Sequence, residues 1–208
     1  VDLINTRRHD HVVTIEDPIE YIHLNRNSII EQIEVGRDTP SFAMSLRSVL
    51  RQNPDVILVG EMRDPETIAT ALTAAETGHL VFSTLHTNDT SQAVSRILDS
   101  FPAANQPQIR QQLSLALLAV VAQQLVPSVG NGGRYPAVEI LTASSGVRHL
   151  IRRGDDHQIY SAVSTGRGEG MNTMEQSLAD MVRAGRISAE TAYAHCFRPE
   201  DLKRYLQV

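Results

Sequence analysis

The chain has 208 residues, a formal net charge of −5, and 41 % hydrophobic against 21 % charged residues, the balance of an ordinary globular protein with a real apolar core. Its acidic balance and few aromatics (4 Phe, 5 Tyr, no Trp) disfavour a nucleic-acid groove or stacking platform, and the single cysteine, Cys196, excludes a disulfide framework or a multi-cysteine zinc site. Of the 19 basic residues all but Lys203 are arginine, and no glycine lies near Lys203, so the phosphate-binding pattern G-x-x-x-x-G-K-[ST] is absent.

In chain order, His11–Ile15 is a β-branched run that reads as a strand, ended by the turn-forming pair Asp17-Pro18. Ser28–Val35 is a second strand candidate, closed by Gly36. Between Ser41 and Arg51 the residues Phe42, Leu46, Val49 and Leu50 fall on one stripe of a helix, which Asn53-Pro54 ends. Val56–Val59 is the short, fully apolar run of a strand buried on both faces. Asp64 can cap the next helix with Pro65 at its first position, and Gly78 stops it. Leu80–Leu85 is the following strand, and the helix after it starts at Asn88 or Asp89 and buries Val94, Ile97, Leu98 and Phe101. Strands separated by helices imply right-handed crossovers and a largely parallel sheet flanked by helices.

Gln106–Gln124 reads as one long apolar helix, and Tyr135–Leu141 as a further strand. The apolar stretch Leu113–Val126 is broken by Ser114, Gln123 and Gln124 and is too short to span a bilayer. From Ser144 onward the pattern is helical: 144–153, 155–163, 173–184, 188–195 and 199–206, with a glycine-rich loop at 166–170. The expected organisation is an α/β half over 1–142 followed by a helical C-terminal tail over 143–208.

Reactive groups in open parallel sheets collect at the carboxyl ends of the strands. There the first strand runs into Glu16, Asp17 and Glu20, the third into Glu61, Arg63 and Asp64, and the fourth into Ser83, Thr84, His86 and Asn88. Such a rim suits a Mg-bound phosphate ester, because carboxylates orient the ion and water while cations take up developing charge. Each element alone has a plainer reading. The acidic turn could be solvated, His86 could be a satisfied turn histidine, and His79 could merely favour a helix C-terminus. Arg47 and Arg51 fit a solvated helix face. Glu61, emerging directly from an apolar strand, must be solvated, paired or bound to metal.

Together the segments are recognisable. Thr14–Tyr21 (TIEDPIEY) resembles the acidic Asp box of the secretion-type ATPases, Arg51–Thr67 (RQNPDVILVGEMRDPET) their Walker B region, and Thr77–Asn88 (TGHLVFSTLHTN) their His box. Ser145–Ser161 is similar to the A-I-R-N-L-I-R-E motif of the pilus-retraction (twitching-motility, PilT-like) branch. It keeps Arg148, Leu150, Ile151 and Arg152 but has Gly146, His149 and Arg153 where the motif has Ala, Asn and Glu. A single cysteine cannot build the four-cysteine zinc module usual in the pilus-assembly and type II secretion branches.

The resemblance implies a RecA-like core in a hexameric, ATP-hydrolysing motor that drives type IV pilus retraction. It further implies a homo-hexamer that is cytoplasmic and peripheral to the inner membrane, acting on an inner-membrane platform protein, with no nucleic-acid partner. Carried over by position, Glu20 is the general base or water-positioning carboxylate, with Asp17 beside it. Glu61 holds the Mg²⁺ shell through water, Thr84 and His86 sense the γ-phosphate with His79 in support, and Arg63 and Arg96 pair with the carboxylates. The family's P-loop precedes the Asp box, so the chain is expected to begin a few residues after it and not to hydrolyse ATP alone. The alternatives are a noncatalytic assembly module of a secretion or pilus machine, which an absent P-loop upstream would favour, and a nucleic-acid translocase on the same core.

Overall fold

A computed structural model describes residues 1–130 and 132–207. The chain divides into two compact units, Val1–His86 with Ile97–Ala116, and Thr87–Arg96 with Leu117–Val208.

In the first unit a short helix, α1 (Asp2–Arg7), leads into β1 (His11–Glu16). Residues 17–28 then cross without regular structure to β2 (Ile29–Glu34), which pairs with β1 in parallel. Side chains replace a helix in holding this crossover. Asn5 donates to the Leu24 carbonyl and accepts from the Arg26 amide, while Gln32 donates to the Tyr21 carbonyl and accepts from the His23 amide. The helix α2 (Phe42–Val49) starts where the Ser41 hydroxyl accepts from the Met44 amide. Next come β3 (Val56–Val59) and α3 (Pro65–Glu76), whose N-cap Asp64 accepts from the Thr67 amide with Pro65 at the first position. A cap of this kind contributes ~1 kcal/mol. β4 (Leu80–Ser83) completes a four-stranded parallel sheet in the order β2-β1-β3-β4.

The alternation of β1 and β3 sends Val13, Ile15, Ile57 and Val59 into one cluster with Leu46 and Val49 of α2 and Ala71 and Ala74 of α3. On the opposite alternation Val12, Thr14 and Val56 are also buried, so both strands are covered on two faces, as their apolar runs predict.

The expected long helix over 106–124 is not formed. The helix α5 ends at Ala116 (Gln106–Ala116), and Ala119–Pro127 is instead a strand, β5. β-Branched Val120 and Val121 start a period of two, in which Val121 and Leu125 are exposed while Ala122 and Val126 are buried. An apolar run without strong periodicity reads equally as helix or strand, and here cross-strand pairing decides it. β5 pairs antiparallel with β6 (Arg134–Thr142).

In the second unit the ribbon buries Val126 and Ala137 against Met174, Leu178 and Ala179 of α8 (Met174–Arg183), with Ala192 of α9 (Ala189–His195) and Leu202 of α10 (Pro199–Leu206). The other helices are α4 (Thr90–Asp99), which begins in this unit, α6 (Ser145–Arg153) and α7 (Ile159–Thr165). α6 has the Ser144 cap at its start and Gly154 at φ 79° just past its end, the left-handed stop that glycine adopts without strain. Among the described residues no helix is long and apolar enough to cross a membrane.

Candidate active site

Strand register builds the rim. Ile15 pairs with Val59, and Val59 with Ser83, so Glu16, Gly60 and Thr84 leave the sheet side by side. Gly60 leaves little room for a side chain there. Its amide donates to the Ile15 carbonyl at 2.7 Å, and a Cβ would meet that oxygen at 3.0 Å and Glu16 Cα at 3.3 Å. Thr84 ties the two following loops together, its hydroxyl donating to the Gly60 carbonyl at 2.5 Å and its own carbonyl accepting from the Met62 amide at 3.4 Å.

Glu61 is the centre of the arrangement. Its side chain is 16 % exposed, and its Oε1 receives Arg63 Nε and lies 3.1 Å from His86 Nε2. The hydrogen bond from Arg63 holds the Glu61 carboxyl below its ordinary range, with the charges of Arg63 and His86 adding to the effect against desolvation. Arg63 in turn is raised, by Glu61 first and more weakly by the charge of Asp17, which places Asp17 within electrostatic reach of the same guanidinium. His86 itself is 71 % exposed, so its ring is open to solvent beyond its contact with Glu61.

Glu16, at the end of β1, accepts from the Thr14 hydroxyl at 2.6 Å and from Gln32 Nε2 at 3.0 Å. Glu20 differs from both other glutamates: it is exposed and makes no hydrogen bond or ion pair among the described residues. At the end of β4, Ser83 Oγ is buried without a hydrogen-bond partner, a polar atom that solvent or a ligand would complete.

Other residues singled out in the sequence fall elsewhere. His79 precedes β4 at its amino end, where Nδ1 lies 2.9 Å from the Ala74 carbonyl and 3.2 Å from the Thr77 hydroxyl; the structure ties it to the end of α3 and does not bring it to the rim. Arg96 lies on α4 in the second unit. Arg47 pairs with Glu66 at 2.5 Å, and Arg51 is exposed. On α6, Arg148 Nε donates to the Ala143 carbonyl at 2.8 Å, Ile151 is buried, Leu150 is half-buried and Arg152 is exposed.

Sequence reasoning passed over Glu139, which is buried on β6 and accepts from Thr90 and from the Met174 amide. Its signal was available: a lone carboxylate inside the apolar run Ala137–Leu141.

No group of three or more His, Cys, Asp or Glu side chains able to hold a metal ion occurs among the described residues. Mg²⁺ keeps several waters and is bound through one or two carboxylates plus substrate phosphates rather than by an all-protein cage. Glu61, a rim carboxylate held below its ordinary range, fits that mode.

The sequence profile of the type II/IV secretion system proteins matches residues 1–194. The chain is 51 % identical over 202 residues to a twitching motility protein of Neisseria gonorrhoeae, covering 97 % of this chain and 54 % of the relative. It is 46 % identical over 201 residues to the type IV pilus retraction ATPase PilT of Pseudomonas aeruginosa, covering 97 % and 58 %. The chain thus spans about half the length of the curated relatives it matches. Among solved structures, the pilus retraction motor PilT with bound ADP superposes with a TM-score of 0.90 at 47 % identity, over 98 % of this chain and 57 % of that one. The ATPase DotB of Legionella pneumophila follows at 0.81 and 30 %, over 90 % and 52 %.

Proposed function

The chain belongs to the type II/IV secretion system protein family, and on that premise we propose that it supplies the Asp-box, Walker B and His-box side of an ATPase site in a hexameric pilus-retraction motor. The substrate is ATP, and Mg²⁺ bound with it would neutralise phosphate charge at the rim. Carrying this reading is the convergence of Arg63 and His86 on one carboxylate oxygen of Glu61, beside the end of β1.

The two carboxylates have different work because their surroundings differ. Glu61, held ionised by Arg63, is a poor proton acceptor and a good fixed charge, suited to accepting hydrogen bonds from metal-bound water. Glu20 has its acceptor oxygens free and orients the attacking water. His86 is within hydrogen-bond distance of Glu61 and open to solvent on its other side, so a change in charge at the phosphates reaches its ring directly. Thr84 carries that change into β3 through the Gly60 carbonyl. Exposed Arg152 of α6 contributes to the surface met by the machinery the motor drives, a platform protein at the cytoplasmic side of the inner membrane.

Complementation tests this directly. In a strain lacking the full-length gene, the wild-type protein restores twitching and Glu61→Gln does not, at equal expression. Restoration by Glu61→Gln would sink the reading.

A further inference from the structure

Each of two helices in the second unit has a side-chain cap that serves only part of its first turn. At α4 the Asp89 carboxylate accepts from the Gln92 amide at 2.8 Å, and at α8 the Thr173 hydroxyl accepts from the Gln176 amide at 3.2 Å. In both cases the amide of the first helical residue, Thr90 or Met174, is left over, one of the orphan donors of a helix start. Glu139 takes both. Its Oε1 accepts from the Thr90 amide at 2.9 Å and from the Thr90 hydroxyl at 2.7 Å, and its Oε2 accepts from the Met174 amide at 3.3 Å.

Glu139 is 2 % exposed, and no cation pairs with it among the described residues. Burying a carboxylate without a counter-ion costs several kcal/mol unless other groups compensate its charge. The compensation here is three donors and the positive ends of two helix dipoles meeting at one group. The strand that carries it is itself fixed. The Val138 amide donates to Ser177 Oγ at 3.0 Å, Asn172 Nδ2 to the Val138 carbonyl at 3.1 Å, and the Ile140 amide to the Asn172 carbonyl at 2.8 Å. Glu139 is therefore a fixed point, and Thr90 is held to it by two bonds.

Thr90 follows His86 by only a few residues. Within the second unit, the chain just after His86 is held by Thr90 on Glu139. We propose that Glu139 is a positioning residue for the ATPase site: by holding the first turns of α4 and α8 on one buried carboxylate, it fixes the stretch of chain that directly follows His86. This rests on the reading of His86 as part of the site. A glutamine cannot replace it, because its amide group would face the Met174 N–H, donor against donor.

The experiment compares Glu139→Gln, Thr90→Val and Thr90→Ser in the full-length protein. Glu139→Gln and Thr90→Val lower kcat for ATP at least ~5-fold with KM within ~2-fold, while Thr90→Ser, which keeps the hydroxyl, retains the wild-type kcat. A kcat for Glu139→Gln nearer to wild type than that overturns the proposal, whatever the melting temperature does. Should Glu139→Gln fail to fold, the Thr90 pair decides: Thr90→Val below Thr90→Ser supports it and equal values overturn it. Absence of turnover in the wild type would instead sink the ATPase reading, and amide hydrogen exchange then decides separately. Faster exchange over residues 85–92 in Thr90→Val than in Thr90→Ser supports the anchoring; equal exchange overturns it.

Discussion

His86 Nε2 stands 3.1 Å from Glu61 Oε1, joining the loop after β4 to the loop after β3. Because the ring is exposed, it carries little of the core, and its removal reads on chemistry more than on stability. His86→Ala in the full-length protein lowers kcat about 10-fold, as loss of a partner that orients a site carboxylate does, and leaves the melting temperature near wild type. Steady-state turnover beside a thermal melt checks both halves. An unchanged kcat would remove His86 from the site.

Arg63 holds Glu61 below its ordinary pKa. A group depressed in the folded state stabilises the fold above its unfolded pKa and loses that contribution as pH falls through its folded value. Arg63→Ala therefore raises the Glu61 titration midpoint and lowers stability at neutral pH. The stability gap from wild type closes as the solution is acidified past the folded-state value. Carboxyl carbon NMR of Glu61 across pH 2–7 follows it directly; a midpoint unmoved by the substitution would contradict the pairing.

Gly60→Ala puts a methyl group against backbone atoms, the Ile15 carbonyl at 3.0 Å and Glu16 Cα at 3.3 Å, which cannot swing aside. Overpacking of this kind costs about 1–3 kcal/mol. Chemical denaturation is expected to give a lower midpoint with an unchanged slope. A midpoint equal to wild type would mean that the sheet edge gives way more easily than its register suggests.

The 208-residue chain contains no G-x-x-x-x-G-K-[ST] sequence, the pattern whose backbone N–H groups and lysine cradle phosphates. Incubated with Mg-ATP, this chain by itself releases no phosphate above the buffer control. Turnover by it would show that the rim is catalytically sufficient.

The parallel sheet was legible because β1 is a β-branched run and β3 a fully apolar one, each ended by turn residues and set among helix-period stretches. The cap at Asp64 was readable for a local reason, since it needs only its own side chain and an amide three residues on. β5 was not legible: Leu113–Val126 is mostly apolar without a clear period, and its conformation past Ala116 depends on pairing with β6, information that lies outside the segment. For the site, spacing brought Glu61, Arg63 and His86 together because they follow neighbouring strands in register. His79 and His86 are close in sequence yet lie toward opposite ends of β4, a separation that an extended strand imposes. Glu139 escaped notice because its partners, Thr90 and Met174, are distant in the chain and its role exists only once both helices start beside β6.

The most direct measurement is steady-state phosphate release by the full-length protein with Mg-ATP, wild type beside Glu20→Gln and Glu61→Gln, together with nucleotide affinity. Glu20 is exposed and unpartnered among the described residues, so its replacement leaves the fold intact and isolates the chemistry. The account predicts turnover by the wild type and losses of about 100-fold or more in both variants, with nucleotide still bound. Turnover at the wild-type rate in both variants would contradict it.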